Sequence, residues 1–294
     1  MEHIGIIGLG AMGGAMAQRL LAAGYRVSGW ARNPNKTHHL QAQGLLLHAS
    51  QQSLFCNTTV LLTNVTTTAD VQGLLLGEQA AERYLAAGSL VIDFSTIDAG
   101  ITQQIASTLR LHNIGFLDAP VSGGQNRAQT GDLSIMVGGH AADLERARPI
   151  LQVLGKTITH TGANGSAQVI KAANQMVMCA TLVGIAEAAA YARHFGADLH
   201  TMVKVLGAGL AGSEVLKWAG PKMADGDFSR TIAARLHEKD LRMVNETLVR
   251  EGLSMPVAQA VSNRLSQLVA AGLGDGDTSA VLRIVEEHLK DNPT

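Results

Sequence analysis

The run HIGIIGLGAMGGAMAQRLLAAG over residues 3–24 constrains the fold of this chain more than any other stretch. A short apolar segment, His3 to Ile7, reads as a buried parallel strand. Gly8, Gly10 and Gly13 then turn the chain into a helix whose apolar face carries Met16, Leu20 and Leu21. Gly8 suits the tight turn, Gly10 lets backbone approach a pyrophosphate, and Gly13 permits close packing of helix on strand. The unpaired N–H groups and positive dipole end of the helix suit phosphates. Gly8, Leu9, Gly10, Ala11, Met12 and Gly13 therefore form a candidate dinucleotide cradle, in context because a second strand, Tyr25 to Ala31, follows the helix. The plainer reading is a glycine-rich turn with no ligand.

The second strand ends where an adenosine ribose sits in such folds, a position that favours Asp or Glu when NAD is bound. This chain reads Trp30-Ala31-Arg32-Asn33-Pro34, with no acid. Arg32 offers a planar, permanently charged fork suited to phosphate. The reading is NADP in preference to NAD, which remains possible, with Arg32 and Asn33 on the 2′-phosphate. The alternative is a solvated Arg32 and relaxed cofactor choice.

A length of 294 residues suggests two domains, and 46% hydrophobic with 3% aromatic residues describes an aliphatic globule. A formal charge of −1 argues against a nucleic-acid surface, which needs many phosphate-neutralising cations. Cys56 and Cys179 form no ligand motif and read as reduced core residues of a cytoplasmic protein. No basic segment leads into an apolar signal region, so no targeting peptide is expected. No apolar stretch reaches bilayer-spanning length without polar interruption, and no His, Asp or Glu cluster offers a metal a home.

Apolar runs alternate with helical patterns through the first half, as a doubly wound sheet requires. Further strands are expected at Leu45 to His48, Thr58 to Asn64, Ser89 to Phe94, Ile114 to Asp118, Leu133 to Gly138 and Thr157 to His160, with helices at 98–112 and 140–154. Asn64 and Val65, and then Ser95, Thr96 and Ile97, fall at carboxyl ends of strands, where ligands of open α/β sheets bind. From Gly162 the pattern changes: Ser166 to Phe195 reads as one long Ala-rich helix, and helices follow at about 198–208, 211–224, 235–251, 256–271 and 277–290. The expected fold class is α/β: a Rossmann doubly wound, mostly parallel sheet over 1–162, a long interdomain helix, and an all-α domain over 163–294 for substrate and oligomerisation. A tight turn at the boundary would leave a ligand cleft there, and the long apolar helix suggests a homodimer or homotetramer.

Three further stretches look chemical. Asp118-Ala119-Pro120-Val121-Ser122-Gly123-Gly124 leaves a strand, and Ser122, Gly123 and Gly124 can present a hydroxyl and bare N–H groups to a substrate carboxylate; otherwise it is an ordinary turn. Lys171, Asn174 and Gln175 share one face in the first turns of the long helix. A lysine among apolar residues suits proton transfer, because desolvation and the helix start both lower its pKa; most helix lysines are solvated surface. His237-Glu238-Lys239-Asp240 could send Lys239 to the cofactor, but alone reads better as an exposed charge mix. Gly207-Ala208-Gly209-Leu210-Ala211-Gly212-Ser213 is a helix–helix turn or a lid.

Taken together, GLGAMGGAMAQRL, DAPVSGG, GSAQVIKAANQ and LHEKDL resemble the β-hydroxyacid dehydrogenase family, in consistent order from about residue 3 to 285. Within it the chain looks most like 2-hydroxy-3-oxopropionate (tartronate semialdehyde) reductases, which share Asn174-Gln175 where many relatives carry Asn-Asn. The resemblance implies an NAD(P)-dependent oxidoreductase acting on a small carboxylate. It implies Lys171 as the catalytic residue, Ser122, Gly123, Gly124, Asn174 and Gln175 on substrate, and Thr96 and Lys239 near the cofactor. The chain departs from the pattern at Thr63-Asn64-Val65-Thr66, where relatives often show Met-Leu-Pro, and at Ala31, which replaces a frequent acid. Other readings are a 3-hydroxyisobutyrate or L-threonate dehydrogenase, a glyoxylate or succinic semialdehyde reductase, and, from a different class, a non-catalytic NADP-binding regulator. Imine reductases share the architecture but usually replace the lysine.

Overall fold

The computed structural model describes residues 2–291. By packing, the chain divides into one compact unit up to Lys171 and a second from Ala172 onward. In the first unit, β1 (His3–Ile7), β2 (Arg26–Trp30), β3 (Leu46–Leu47), β4 (Val60–Thr63), β5 (Leu90–Asp93), β6 (Gly115–Asp118), β7 (Val121–Ser122), β8 (Leu133–Gly139) and β9 (Gly155–Gly162) form one sheet. Its order is β3-β2-β1-β4-β5-β6-β8-β7, with β9 beside β8. Pairing from β3 through β6 is parallel, which buries strands on both faces and explains their continuous aliphatic runs.

Residues alternate between the two faces. Ile4, Ile6, Val60, Leu62, Leu90 and Ile92 pack with Met16 and Leu20 of α1 (Ala11–Ala22). Leu61, Val91 and Phe116 face the opposite layer, against Val71 and Leu75 of α2 (Thr68–Leu75) and Ile105 and Leu109 of α3 (Ala99–Leu111). Each such fully buried side chain stabilises the fold by about 1.5–3 kcal/mol.

Beyond β6 the sheet becomes mixed. The stretch read as a turn contains β7, which pairs antiparallel with β8 through Val121↔Ile135 and Ser122↔Ser134. Two residues are too few to leave a periodic signal. The helix α4 (Gly124–Thr130) follows β7 directly, and α5 (Ala141–Leu154) joins β8 to β9.

Helix α6 (Ser166–His194) runs from the first unit into the second. By length and composition it could cross a membrane, with a mean hydropathy of 1.5 over its most apolar stretch, although Lys171, Asn174, Gln175 and Glu187 interrupt the apolar run. Core helices of soluble proteins pass the same test, and here Cys179, Leu182, Ala186 and Ala189 supply core to the second unit. That unit continues with α7 (Leu199–Ala208), α8 (Glu214–Asp225), α9 (Ala234–Arg250), α10 (Pro256–Leu268) and α11 (Val281–Asp291). Asp198 and Ser213 cap α7 and α8 with their side chains, as polar residues before apolar-periodic runs do. Of the glycine-rich stretch, Gly207 and Ala208 end α7, and residues 209–213 connect it to α8. Asp277 is fully buried and accepts from Thr231 N–H at 2.7 Å and Ser279 N–H at 3.1 Å, tying the entry of α9 to the segment before α11.

Both cysteines are free, but the expectation that both lie in the core fails at Cys56, which is exposed. It ends the short helix Gln51–Cys56, where Leu54 and Phe55 already occupy the buried positions. One further residue rotates the side chain by about 100° towards solvent.

Backbone packs directly on backbone at Gly13, where an added Cβ would lie 2.1 Å from the carbonyl oxygen of Gly8. Gly13→Ala is expected to destabilise the protein by about 1–3 kcal/mol, because neither backbone segment can yield cheaply. Urea denaturation checks this, and an unchanged midpoint would contradict the close approach.

Candidate active site

The turn between β1 and α1 is built by exclusion. Gly8 has φ +98°, and a Cβ there would come within 2.0 Å of the Asn64 carbonyl oxygen, so the ends of β1 and β4 meet through bare backbone. Gly10 is exposed and has nothing within 4 Å of where its Cβ would stand. Helix α1 starts immediately afterwards with no side-chain cap and no acidic residue in its first turn. Its leading N–H groups thus border open space beside a positive helix end, which fits a pyrophosphate. Leu9, Ala11 and Met12 complete this turn. Past β2, Arg32 is exposed, while the Asn33 side chain accepts from Asn35 N–H at 3.2 Å and caps the turn Pro34–Thr37.

The neighbouring strand ends carry the other cofactor candidates. Asn64 and Val65 leave β4, and Val65 N–H donates to the Ser95 hydroxyl at 2.9 Å, joining the β4 and β5 exits. Thr96 is the next residue, half-buried. Ser122 closes β7, and Gly123 and Gly124 follow with φ +135° and +69°, backbone that demands glycine. Helix α4 is led by Gly123 without a side-chain cap, so hydroxyl and bare N–H groups stand together as an anion site requires.

Lys171 lies on the second turn of α6 and is only 7% exposed. A solvated surface lysine is therefore excluded. Gln175, one turn on, is also buried, and Asn174 is half-buried between them in sequence. In the second unit, Asn174 donates to the Gln175 side-chain oxygen at 3.0 Å, Gln175 donates to Asp240 Oδ2 at 2.7 Å, and Lys239 Nζ pairs with Asp240 Oδ1 at 2.9 Å. The exposed charge mix expected over 237–240 is corrected: His237 and Asp240 are buried, with His237 Nδ1 and the Thr278 hydroxyl 2.9 Å apart. Residues 237, 240, 241, 244 and 248 form the inward stripe of α9, and that stripe, not the charge pattern, decides burial.

A model of the NAD-binding domain of 6-phosphogluconate dehydrogenase matches residues 3–162, and a model of the NAD-binding region of NADP-dependent 3-hydroxyisobutyrate dehydrogenase matches 165–285. The chain belongs to the β-hydroxyacid dehydrogenase family. It is 31% identical to the 2-hydroxy-3-oxopropionate reductase of Escherichia coli K12 over 96% of this chain and 97% of that protein. It is 30% identical to an NAD-dependent L-serine dehydrogenase of Pseudomonas aeruginosa, over 97% and 98%. The crystal structure of a 3-hydroxyisobutyrate dehydrogenase from Salmonella typhimurium superposes with a TM-score of 0.87 at 30% identity, covering 97% of this chain and all of that one. This chain is accordingly an NAD(P)-dependent dehydrogenase acting on CH–OH donors, with a Rossmann-type domain followed by a helical one.

Sequence reasoning missed a pair of buried carboxylates at neighbouring strand ends. Asp93 and Asp118 end β5 and β6, face one another in register and are fully buried. Asp93 Oδ1 accepts from the Thr63 hydroxyl at 2.7 Å and from Ser95 N–H at 3.1 Å. Asp118 Oδ1 accepts from Gly165 N–H at 2.9 Å and from the Asn164 amide at 3.3 Å, just before α6. Among the described residues neither Oδ2 has a hydrogen-bond partner. Burial pushes both carboxyls up, Asp93 to about 6, against the donors that favour the charged form. The available signal was an acid closing an otherwise apolar strand, twice on neighbouring strands.

Asp93 binds its proton more tightly folded than unfolded, so the native state gains stability below pH 6 and loses that gain as pH rises from about 4 to 6. Asp93→Asn is expected to flatten this part of the stability–pH curve by on the order of 2–3 kcal/mol. Urea titrations of both proteins from pH 4 to 8 check it, and parallel curves would contradict the assignment.

Proposed function

We propose that this dehydrogenase reduces 2-hydroxy-3-oxopropionate, or a semialdehyde acid of similar size, with NADPH. The observation that carries the reading is Lys171: an amine only 7% exposed on the second turn of α6, followed by Asn174 and Gln175. Similarity to the Escherichia coli reductase over nearly the whole of both chains supports the substrate class. Arg32, exposed past a β2 that ends without an acid, supports NADP.

Gly8 to Gly13, Arg32, Asn33, Asn64, Val65, Thr96 and Lys239 are the residues that would hold the cofactor. The bound nicotinamide supplies the hydride to the carbonyl carbon. Lys171, as ammonium, donates a hydrogen bond to the carbonyl oxygen, stabilises the negative charge growing there, and gives up its proton to it. In the reverse direction the neutral amine takes that proton back. The Ser122 hydroxyl and the N–H groups of Gly123 and Gly124 hold the substrate carboxylate, which fixes the face presented for reaction. Asn174 and Gln175 bind the substrate hydroxyl.

We also infer a homo-oligomer, because Val169, Ile170 and Val177 of α6 are 57%, 47% and 69% exposed, an apolar surface unusual for a helix that elsewhere supplies core.

Lys171→Ala is expected to lower kcat by at least about 10³-fold while NADPH affinity changes by less than about 3-fold. Fluorescence titration and steady-state rates measure the two, and near wild-type turnover would remove the catalytic role. Initial rates with NADPH and NADH for tartronate semialdehyde, glyoxylate and succinic semialdehyde, and with NADP+ and NAD+ for 3-hydroxyisobutyrate, L-threonate and L-serine, are expected to peak with the first compound and NADPH. Arg32→Asp is expected to reverse the cofactor preference, and an NADH preference in the wild type would overturn the NADP reading.

A further inference from the structure

We infer that Gln168 is a positioning residue that sets the place of Lys171 by latching the start of α6 to the segment containing Thr96; the inference rests on the catalytic reading of Lys171. The Gln168 side chain is buried, with 2% of its surface exposed. Its Oε1 accepts from Ile97 N–H at 3.1 Å, and its Nε2 donates to the Ser95 carbonyl oxygen at 2.9 Å. The two contacts fall on either side of Thr96, so one primary amide clamps a three-residue backbone segment at two points. Such a clamp needs a donor and an acceptor side by side, which among side chains of this length only glutamine offers without charge.

Both ends of the latch are independently anchored. Ser95 donates its N–H to Asp93 at 3.1 Å, and its hydroxyl accepts from Val65 N–H at 2.9 Å. The approach to α6 is held by Gly165 N–H on Asp118 at 2.9 Å and by the Asn164 amide on the Phe116 carbonyl oxygen at 2.9 Å. Gly165 itself has φ +89°, and a Cβ there would stand 2.9 Å from the Ala99 carbonyl oxygen, so backbone packs on backbone at this point. Gln168 and Lys171 are three residues apart on one helical face, both buried. Movement of the first turn of α6 against the Ser95–Ile97 segment therefore carries the amine with it, and displacements of about 1 Å suffice to cost a reaction about 10²-fold.

A residue that only fills space predicts a different outcome from a latch. Gln168→Met keeps length and volume but offers neither hydrogen bond. It is expected to lower kcat by about 10–100-fold, with NADPH affinity and substrate KM within about 3-fold of wild type. In the cofactor-free protein the Ile97 amide is expected to exchange faster with solvent, while the Val65 amide, held by Ser95, keeps its protection. Gln168→Glu retains the acceptor for Ile97 N–H but loses the donor to Ser95, and is expected to fall between wild type and Met. Rates are read with NADPH and the best substrate of the panel above, with Lys171→Ala alongside. A fully active Gln168→Met beside an inactive Lys171→Ala overturns the latch alone. An active Lys171→Ala overturns the lysine reading and the latch with it. If Gln168→Met does not fold, wild-type kcat in Gln168→Glu overturns the latch and a reduced kcat at unchanged KM supports it.

Discussion

A parallel sheet runs out of backbone partners at the carboxyl ends of its strands, and the chemistry of this protein depends on how that deficit is met. Where β4, β5 and β6 end, Thr63, Asp93 and Asp118 stand in register as a buried polar row. Each carboxylate loses solvation there, and its remaining support is a small set of N–H and hydroxyl donors. Two of those donors lie outside the sheet, at the Ser95 loop and at the approach to α6. The row therefore ties the Ser95 loop and the approach to α6, which carries Lys171, to the ends of the strands.

That arrangement explains why so polar a set can be buried. Asp118 acts on α6 as a cap supplied from another element, accepting from a backbone donor at the helix approach. Further along the helix the inward positions pass from Gln168, Lys171 and Gln175 to Cys179, Leu182 and Ala186. One stripe thus changes from hydrogen-bonding to packing within three turns. In the second unit the same logic recurs, since Gln175 is satisfied by Asp240, which in turn pairs with Lys239. Each of these buried amides and carboxylates keeps at least one defined hydrogen-bond partner.

The glycine turn, the parallel strands β1, β2, β4, β5 and β6 and the helical second half were legible because period, glycine placement and capping residues are local signals. Strand ends shifted by a residue or two, as at β2, found at Arg26–Trp30 within the expected Tyr25–Ala31. The short strand β7 escaped notice because two residues carry no period, and its pairing with β8 is non-local. Cys56 and the 237–240 stretch were misjudged for one reason: burial depends on which face of a short or strongly charged helix meets a neighbour. Lys171 stands out in the sequence as a lysine among apolar residues and is buried in the fold, yet Gln168, three residues before it, reads like any helix glutamine.

By itself the sequence determined the order of strands and helices, the bare-backbone turn after β1, the missing acid after β2 and the presence of a lysine among apolar residues. These follow from steric and periodic rules that act within a few residues. Only the tertiary structure decided that Asp93 and Asp118 face each other at the ends of β5 and β6, that Asp240 answers Gln175, and that Gln168 spans two backbone groups about seventy residues earlier. Partners for buried polar groups come from wherever the chain returns, and desolvation, which makes those partners obligatory, exists only once the fold has closed over them.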